Sequence, residues 1–180
     1  ELKRLFEHAT TFGSLIQVPE GLAEKLPALK TLSEASSQDM FVAGALKRLG
    51  PLVRQAELLA AQYDAVVANP PYMGSGGMNA PVKEFVKERF PHSKENLFAC
   101  FIERGYTLAK PLGYGSMVTL QNWMFLSSFE KLRVQMLKEK TICTMTHIGY
   151  NSFPSLNSKV ALATVFSLRA RRIAGYVGSF

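Results

Sequence analysis

The residues of this chain best suited to chemistry stand together at Asn69-Pro70-Pro71-Tyr72. An exocyclic amine on a planar ring is a poor nucleophile, because its lone pair is delocalised into the ring. Two acceptors aimed at its N–H bonds favour a more pyramidal nitrogen whose lone pair points at an electrophile. The side-chain oxygen of Asn69 and the backbone carbonyl of Pro70 are two such acceptors. The prolines hold the carbonyls rigidly, and an orientation set in advance needs no reorganisation during reaction. Tyr72 adds a face on which a flat ring can stack. The natural electrophile is the sulfonium methyl of S-adenosylmethionine, attacked in line, with no need for a metal or a strong general base. The plainer reading of the same residues is a strand-to-turn break, since Asn-Pro commonly opens a turn.

The surrounding elements place the tetrad where ligands bind. Tyr63 to Ala68 is a short, mostly apolar, β-favouring run. Proline cannot donate to a sheet ladder and restrains the residue before it, so the strand must end at Asn69. In an open α/β sheet, ligands sit beyond the carboxyl ends of the strands. Upstream, Pro51 suits the first turn of a helix running to about Gln62. Downstream, the pattern predicts helices over 81–90 and 95–110, a Pro111-Leu112-Gly113 turn and a strand over 115–120. Ser127-Ser128 can cap a helix over 129–140, and strands follow over 141–148 and 159–168. The alternation implies an α/β sheet of about four strands, mainly parallel. The last two strands have no helix between them and are expected to pair as an antiparallel edge.

Residues 1–50 carry no recognisable chemistry. Phe41, Val42, Ala45, Leu46 and Leu49 recur at helix spacing, and Pro19, Gly21 and Pro27 punctuate what precedes them. This part reads as a helical lead or insertion, with 51–180 as the catalytic part.

Composition narrows the setting. Hydrophobic residues are 47% and charged residues 19%, a balance that suits a folded domain with a real core. No apolar run reaches the ~18–20 residues of a membrane span, and no signal peptide opens the chain, so no membrane partner is expected. Cys100 and Cys143 lack CxxC or histidine partners, which argues against a zinc site or disulfide framework and for a reducing cytoplasm. The net charge of +7 favours a polyanionic partner. The chain begins at Glu1 rather than Met, which points to a piece of a longer protein.

The segment Tyr63-Asp64-Ala65-Val66-Val67-Ala68-Asn69-Pro70-Pro71-Tyr72 resembles the "FDxVxxNPPY" stretch of the amino-methyltransferases. Further landmarks follow in the order of the γ-type adenine-N6 DNA methyltransferases. Glu95-Asn96-Leu97-Phe98-Ala99-Cys100-Phe101 resembles their "NLYxxF" helix start, and Lys110-Pro111-Leu112-Gly113-Tyr114-Gly115 their "KPGG" turn. Gln121-Asn122-Trp123 closes the next strand, and Ser152-Phe153-Pro154 resembles their "VFP" loop before a terminal strand. The match covers roughly residues 55–170, and ordered landmarks are far more specific than one tetrad. Spacing and the helical lead are similar to large restriction-modification enzymes and to the methyltransferase of BREX/Pgl phage-exclusion systems, which implies a role in antiviral defence.

The resemblance implies a partial Rossmann-like methyltransferase sheet, with S-adenosylmethionine as cofactor and double-stranded DNA as partner. Asn69 and Pro70 would hold the target amine, with Tyr72 and Phe153 on either face of a flipped adenine. Asn69, Pro71 and Phe101 would border the cofactor. Phe153 reads equally well as an aromatic anchoring its loop, and Phe101 as a core position on an apolar helix face. Lys83, Lys87, Arg89, His92 and Lys94 form a basic group that a duplex could meet. With Glu84 and Glu88 interleaved they also read as a solvated helix face. A second basic group, Arg169, Arg171 and Arg172, lies near the end.

Two parts of the family pattern are missing: the Gly-rich cofactor loop after a first strand, and a target-recognition domain. Gly74-Ser75-Gly76-Gly77 follows the tetrad, and reads as a mobile loop over the substrate. The remainder of the parent chain, and other defence-system subunits, are the implied partners. By itself this piece is expected to bind the cofactor poorly and to methylate nothing. Rival readings are a glutamine-amide or RNA-base methyltransferase and a non-catalytic DNA-binding module.

Overall fold

The computed structural model describes residues 1–149 and 162–180. It divides into two compact units, Glu1–Ala61 and Gln62–Phe180.

The first unit is helical. Short helices α1 (Leu2–Leu5), α2 (Ala9–Phe12) and α3 (Glu20–Ala23) precede α4 (Leu26–Ser33) and the long α5 (Met40–Ala60). Asp39 caps α5, its carboxylate accepting from the Phe41 and Val42 amides. Pro51 lies inside α5 rather than in the first turn of a separate helix, so the expected division at residue 50 falls within a continuous helix. Burial outweighs the amide that exposed Pro51 lacks: Val53 and Ala56 of α5 close into one core with Leu2, Phe6, Ile16, Leu22 and Leu26.

The second unit is a four-stranded sheet with helices. Its elements are β1 (Tyr63–Ala68), α6 (Ala80–Arg89), α7 (Leu97–Leu108), β2 (Ala109–Leu120), α8 (Glu130–Glu139), β3 (Thr141–Gly149) and β4 (Ala163–Arg169). The sheet order is β1-β2-β4-β3. β1 runs parallel to β2, and β4 runs antiparallel to both β2 and β3. The last two strands therefore pair as expected, but β4 is not at the edge: it lies between β2 and β3. Burial explains the placement. Ala163, Thr164, Phe166 and Leu168 of β4 are almost fully buried, whereas β3 exposes Thr144, Thr146, His147 and Ile148. The start of the strand expected from Lys159 lies outside the described residues.

β2 starts earlier than expected, and the Lys110–Gly113 turn is a bulge within it. Ala109 pairs with Tyr63 and Tyr114 with Ala65, so residues 110–113 loop out opposite Asp64. Only glycine fits at 113, because a Cβ there would stand 2.9 Å from the carbonyl oxygens of Tyr63 and Asp64. The Lys110 ammonium crosses the bulge to both oxygens of Asp64 at 2.9 Å. This pair is exposed and contributes at most about 1 kcal/mol.

From Gly113 to Leu120, past the bulge, burial alternates residue by residue along β2, as a sheet with one covered face requires. The covered face holds Met117, Phe166 and Leu168 against Phe98, Ala99 and Ile102 of α7 and Leu132 and Met136 of α8. Trp123 and Phe129 complete this core, and the Trp123 indole donates to Thr119 Oγ1 at 3.0 Å. Ser127-Ser128 makes no side-chain cap; a 3-10 turn over Ser127–Phe129 leads into α8 instead. Cys100 and Cys143 are free and buried. Among the described residues no helix is long and apolar enough to cross a membrane.

Candidate active site

The tetrad leaves the carboxyl end of β1. Because Ala68 pairs with Met117, the chain beyond Ala68 runs beside Val118 of β2. Pro70 is buried, while Asn69 and Pro71 are exposed and Tyr72 is half-buried. The Tyr72 hydroxyl turns back over the tetrad and donates to Asn69 Oδ1 at 3.0 Å. The Val118 carbonyl is a second acceptor for it at 3.3 Å. Burial pushes this hydroxyl above its ordinary pKa of 10.0.

An aromatic series supports the ring from below. Tyr72 stands edge-on to Phe98, and the Phe98 ring lies 5.9 Å from that of Phe129. Phe98 is fully buried on α7, whose first turn is capped by the Asn96 side chain accepting from the Phe98 amide. The Arg133 guanidinium donates to the carbonyls of Trp123 at 2.8 Å and Leu126 at 2.6 Å, pinning the loop that follows β2. Sequence reading missed the site-forming parts of Phe98 and Val118. Phe98 was visible only as one apolar position among several on its helix, and a backbone carbonyl leaves no signature in residue type.

The Gly-rich loop expected to be mobile is tied to the start of α7. Gly74 and Asn96 form an antiparallel bridge, Ser75 N donates to Glu95 O at 2.9 Å, and Leu97 N donates to Met73 O at 2.9 Å.

The remaining candidates are spread out. Phe101 is half-buried on α7, where neighbouring Ile102 is fully buried, so it is not a simple core position. Lys83 and Lys87 are exposed on α6, whose inner stripe is Val82, Val86 and, just past its end, Phe90. Arg89 is paired with Glu88 at 3.4 Å, and Lys94 and His92 are half-buried off the helix. Phe153 lies outside the described residues.

Residues 21–153 match the model of the Eco57I restriction-modification methylase family. The adenine-specific methyltransferase BrxX of Escherichia coli O9:H4 (strain HS) is 45% identical over 170 residues, covering 92% of this chain and 14% of that protein. The adenine-specific methyltransferase PglX of Lacticaseibacillus casei (strain Zhang) is 40% identical over 129 residues, covering 72% of this chain and 11% of that protein. The chain thus spans a small part of the length of these relatives. Among solved structures, one of a type I restriction-modification system covers 99% of this chain and 46% of its own, with a TM-score of 0.52 and 14% identity. That likeness concerns the fold.

Proposed function

The chain belongs to the Eco57I restriction-modification methylase family, and from that premise we propose that the carboxyl end of β1 is where a methyl group passes from S-adenosylmethionine to N6 of an adenine flipped out of double-stranded DNA. The observation that carries this reading is the position of Asn69. Its carboxamide oxygen lies just beyond a parallel strand, exposed, with Tyr72 holding it from one side. Asn69 Oδ1 and the Pro70 carbonyl accept the two N–H bonds of the target amine, which directs its lone pair outward. The Tyr72 ring takes one face of the base, and Phe153 is assigned the other.

The residues present fit the cofactor along one wall. Exposed Asn69 and Pro71 and half-buried Phe101 offer polar and apolar contacts. When bound, S-adenosylmethionine supplies the electrophilic methyl. The cofactor loop and the target-recognition domain are assigned to the rest of a longer protein, with other defence-system subunits as further partners. Residues 1–50 are read as a helical lead and 51–180 as the catalytic half of the methyltransferase. The two buried free thiols suit a reducing cytoplasm.

Asn69→Ala in the full-length protein tests the reading. Methyl transfer should fall at least 100-fold while DNA affinity stays within about twofold. A variant that still methylates at the parental rate overturns the role of Asn69. Digestion and mass analysis of the product identifies the acceptor: N6-methyladenine supports the proposal, and methylglutamine or a methylated RNA base replaces it.

A further inference from the structure

We infer that the Tyr72 hydroxyl is a positioning group, which holds the Asn69 carboxamide with its oxygen available to the target amine. This rests on the function proposed above and assigns to Tyr72 a second task beyond stacking.

A carboxamide can turn by 180° about its last bond, exchanging an acceptor for an NH2 group. Only one of these orientations accepts from an amine; the other sets donor against donor. The Asn69 side chain is exposed, so packing alone does not choose between them. Tyr72 does. Its hydroxyl carries one proton and faces two acceptors, Asn69 Oδ1 at 3.0 Å and the Val118 carbonyl at 3.3 Å. Donation to Asn69 Oδ1, the shorter of the two contacts, leaves that oxygen a second lone pair for the base. If the proton went to Val118 instead, the hydroxyl would present a lone pair to Asn69 and favour the unproductive NH2 orientation. The choice therefore depends on where the hydroxyl sits, which the rest of the site controls. The edge-on contact with Phe98 seats the ring. The ring needs only its π-face to stack on a base, so stacking by itself gives no reason for a hydroxyl.

The test is Tyr72→Phe in the full-length protein, which keeps the ring and removes only the hydroxyl. The expected result is a fall of about tenfold in kcat, equivalent to about 1.4 kcal/mol. KM for DNA should stay within about twofold. The fluorescence rise of 2-aminopurine at the target position, which reports base flipping, should be unchanged. Tyr72→Ala should differ, raising KM and weakening the fluorescence signal because it removes the stacking face. A Tyr72→Phe variant with parental kcat, or one whose loss lies in KM and flipping, overturns the inference and leaves the proposed function standing. A full-length parental protein that forms no N6-methyladenine overturns the proposed function first, and this inference with it.

Discussion

The ring of Tyr72 meets that of Phe98 at an interplanar angle of 85° with centroids 6.3 Å apart. An edge-to-face contact of this kind is favoured by the aromatic quadrupole and adds about 0.5–1.5 kcal/mol beyond area burial. Here it joins an exposed motif to the core, because Phe98 is fully buried and belongs to the cluster under the sheet.

Phe98→Leu should therefore act on both stability and rate. The smaller side chain keeps most of the volume and is expected to cost about 1–2 kcal/mol. Phe98→Ala should cost about 3–5 kcal/mol. Thermal unfolding measures this part. In the leucine variant methyl transfer should also fall several-fold, since Tyr72 loses the edge that seats it. A parental rate in a measurably destabilised Phe98→Leu protein would show that the contact is structural only.

Lys83 and Lys87 are one helical turn apart and exposed on α6, whereas Arg89 is engaged with Glu88. If the two lysines meet phosphates, replacing both by alanine removes two counterion-releasing contacts. The slope of log Kd against log salt should then become shallower by about 1.8 for duplex DNA. Anisotropy titrations at several salt concentrations read the slope directly. An unchanged slope would return this helix face to ordinary solvation.

Cys100 is buried on α7, and burial pushes its thiol from 9.0 up to about 12. The unfolded chain releases this proton near pH 9, while the folded chain keeps it to about pH 12. Between those values unfolding releases a proton, so the Cys100 contribution to stability is present below pH 9 and declines as pH rises. The limiting slope is about 1.4 kcal/mol per pH unit. Denaturation midpoints of parent and Cys100→Ala should draw together between pH 9 and pH 11. A constant difference across that range would contradict the shifted thiol.

Local covalent rules made much of this protein legible from residue order. The end of β1 is where Pro70 and Pro71 forbid a strand, since neither can donate to a ladder. The helices expected over 81–90 and 95–110 are α6 and α7, set by the spacing of apolar residues along the chain. The tetrad, with its acceptor oxygens and aromatic ring, was likewise visible, because its chemistry depends on residue types that are adjacent in the chain.

What tertiary structure alone decided involves competition between distant groups. β4 sits inside the sheet with Phe166 and Leu168 fully buried under α7 and α8, while Ile142 and Met145 of β3 reach the same cluster only partly buried, and pattern within either strand does not rank them. Pro51 is tolerated inside α5 because the packed faces around Val53 and Ala56 outweigh one missing backbone bond. The Gly74–Gly77 loop and Met73 before it are held by the Glu95 carbonyl and the Leu97 amide, groups that every residue but proline carries and no letter of the sequence distinguishes. The same reason hid the Val118 carbonyl, which shares the Tyr72 hydroxyl with Asn69 across 46 residues of chain. Side-chain identity is written in the sequence; which backbone atom a hydroxyl meets depends on the register of β1 against β2.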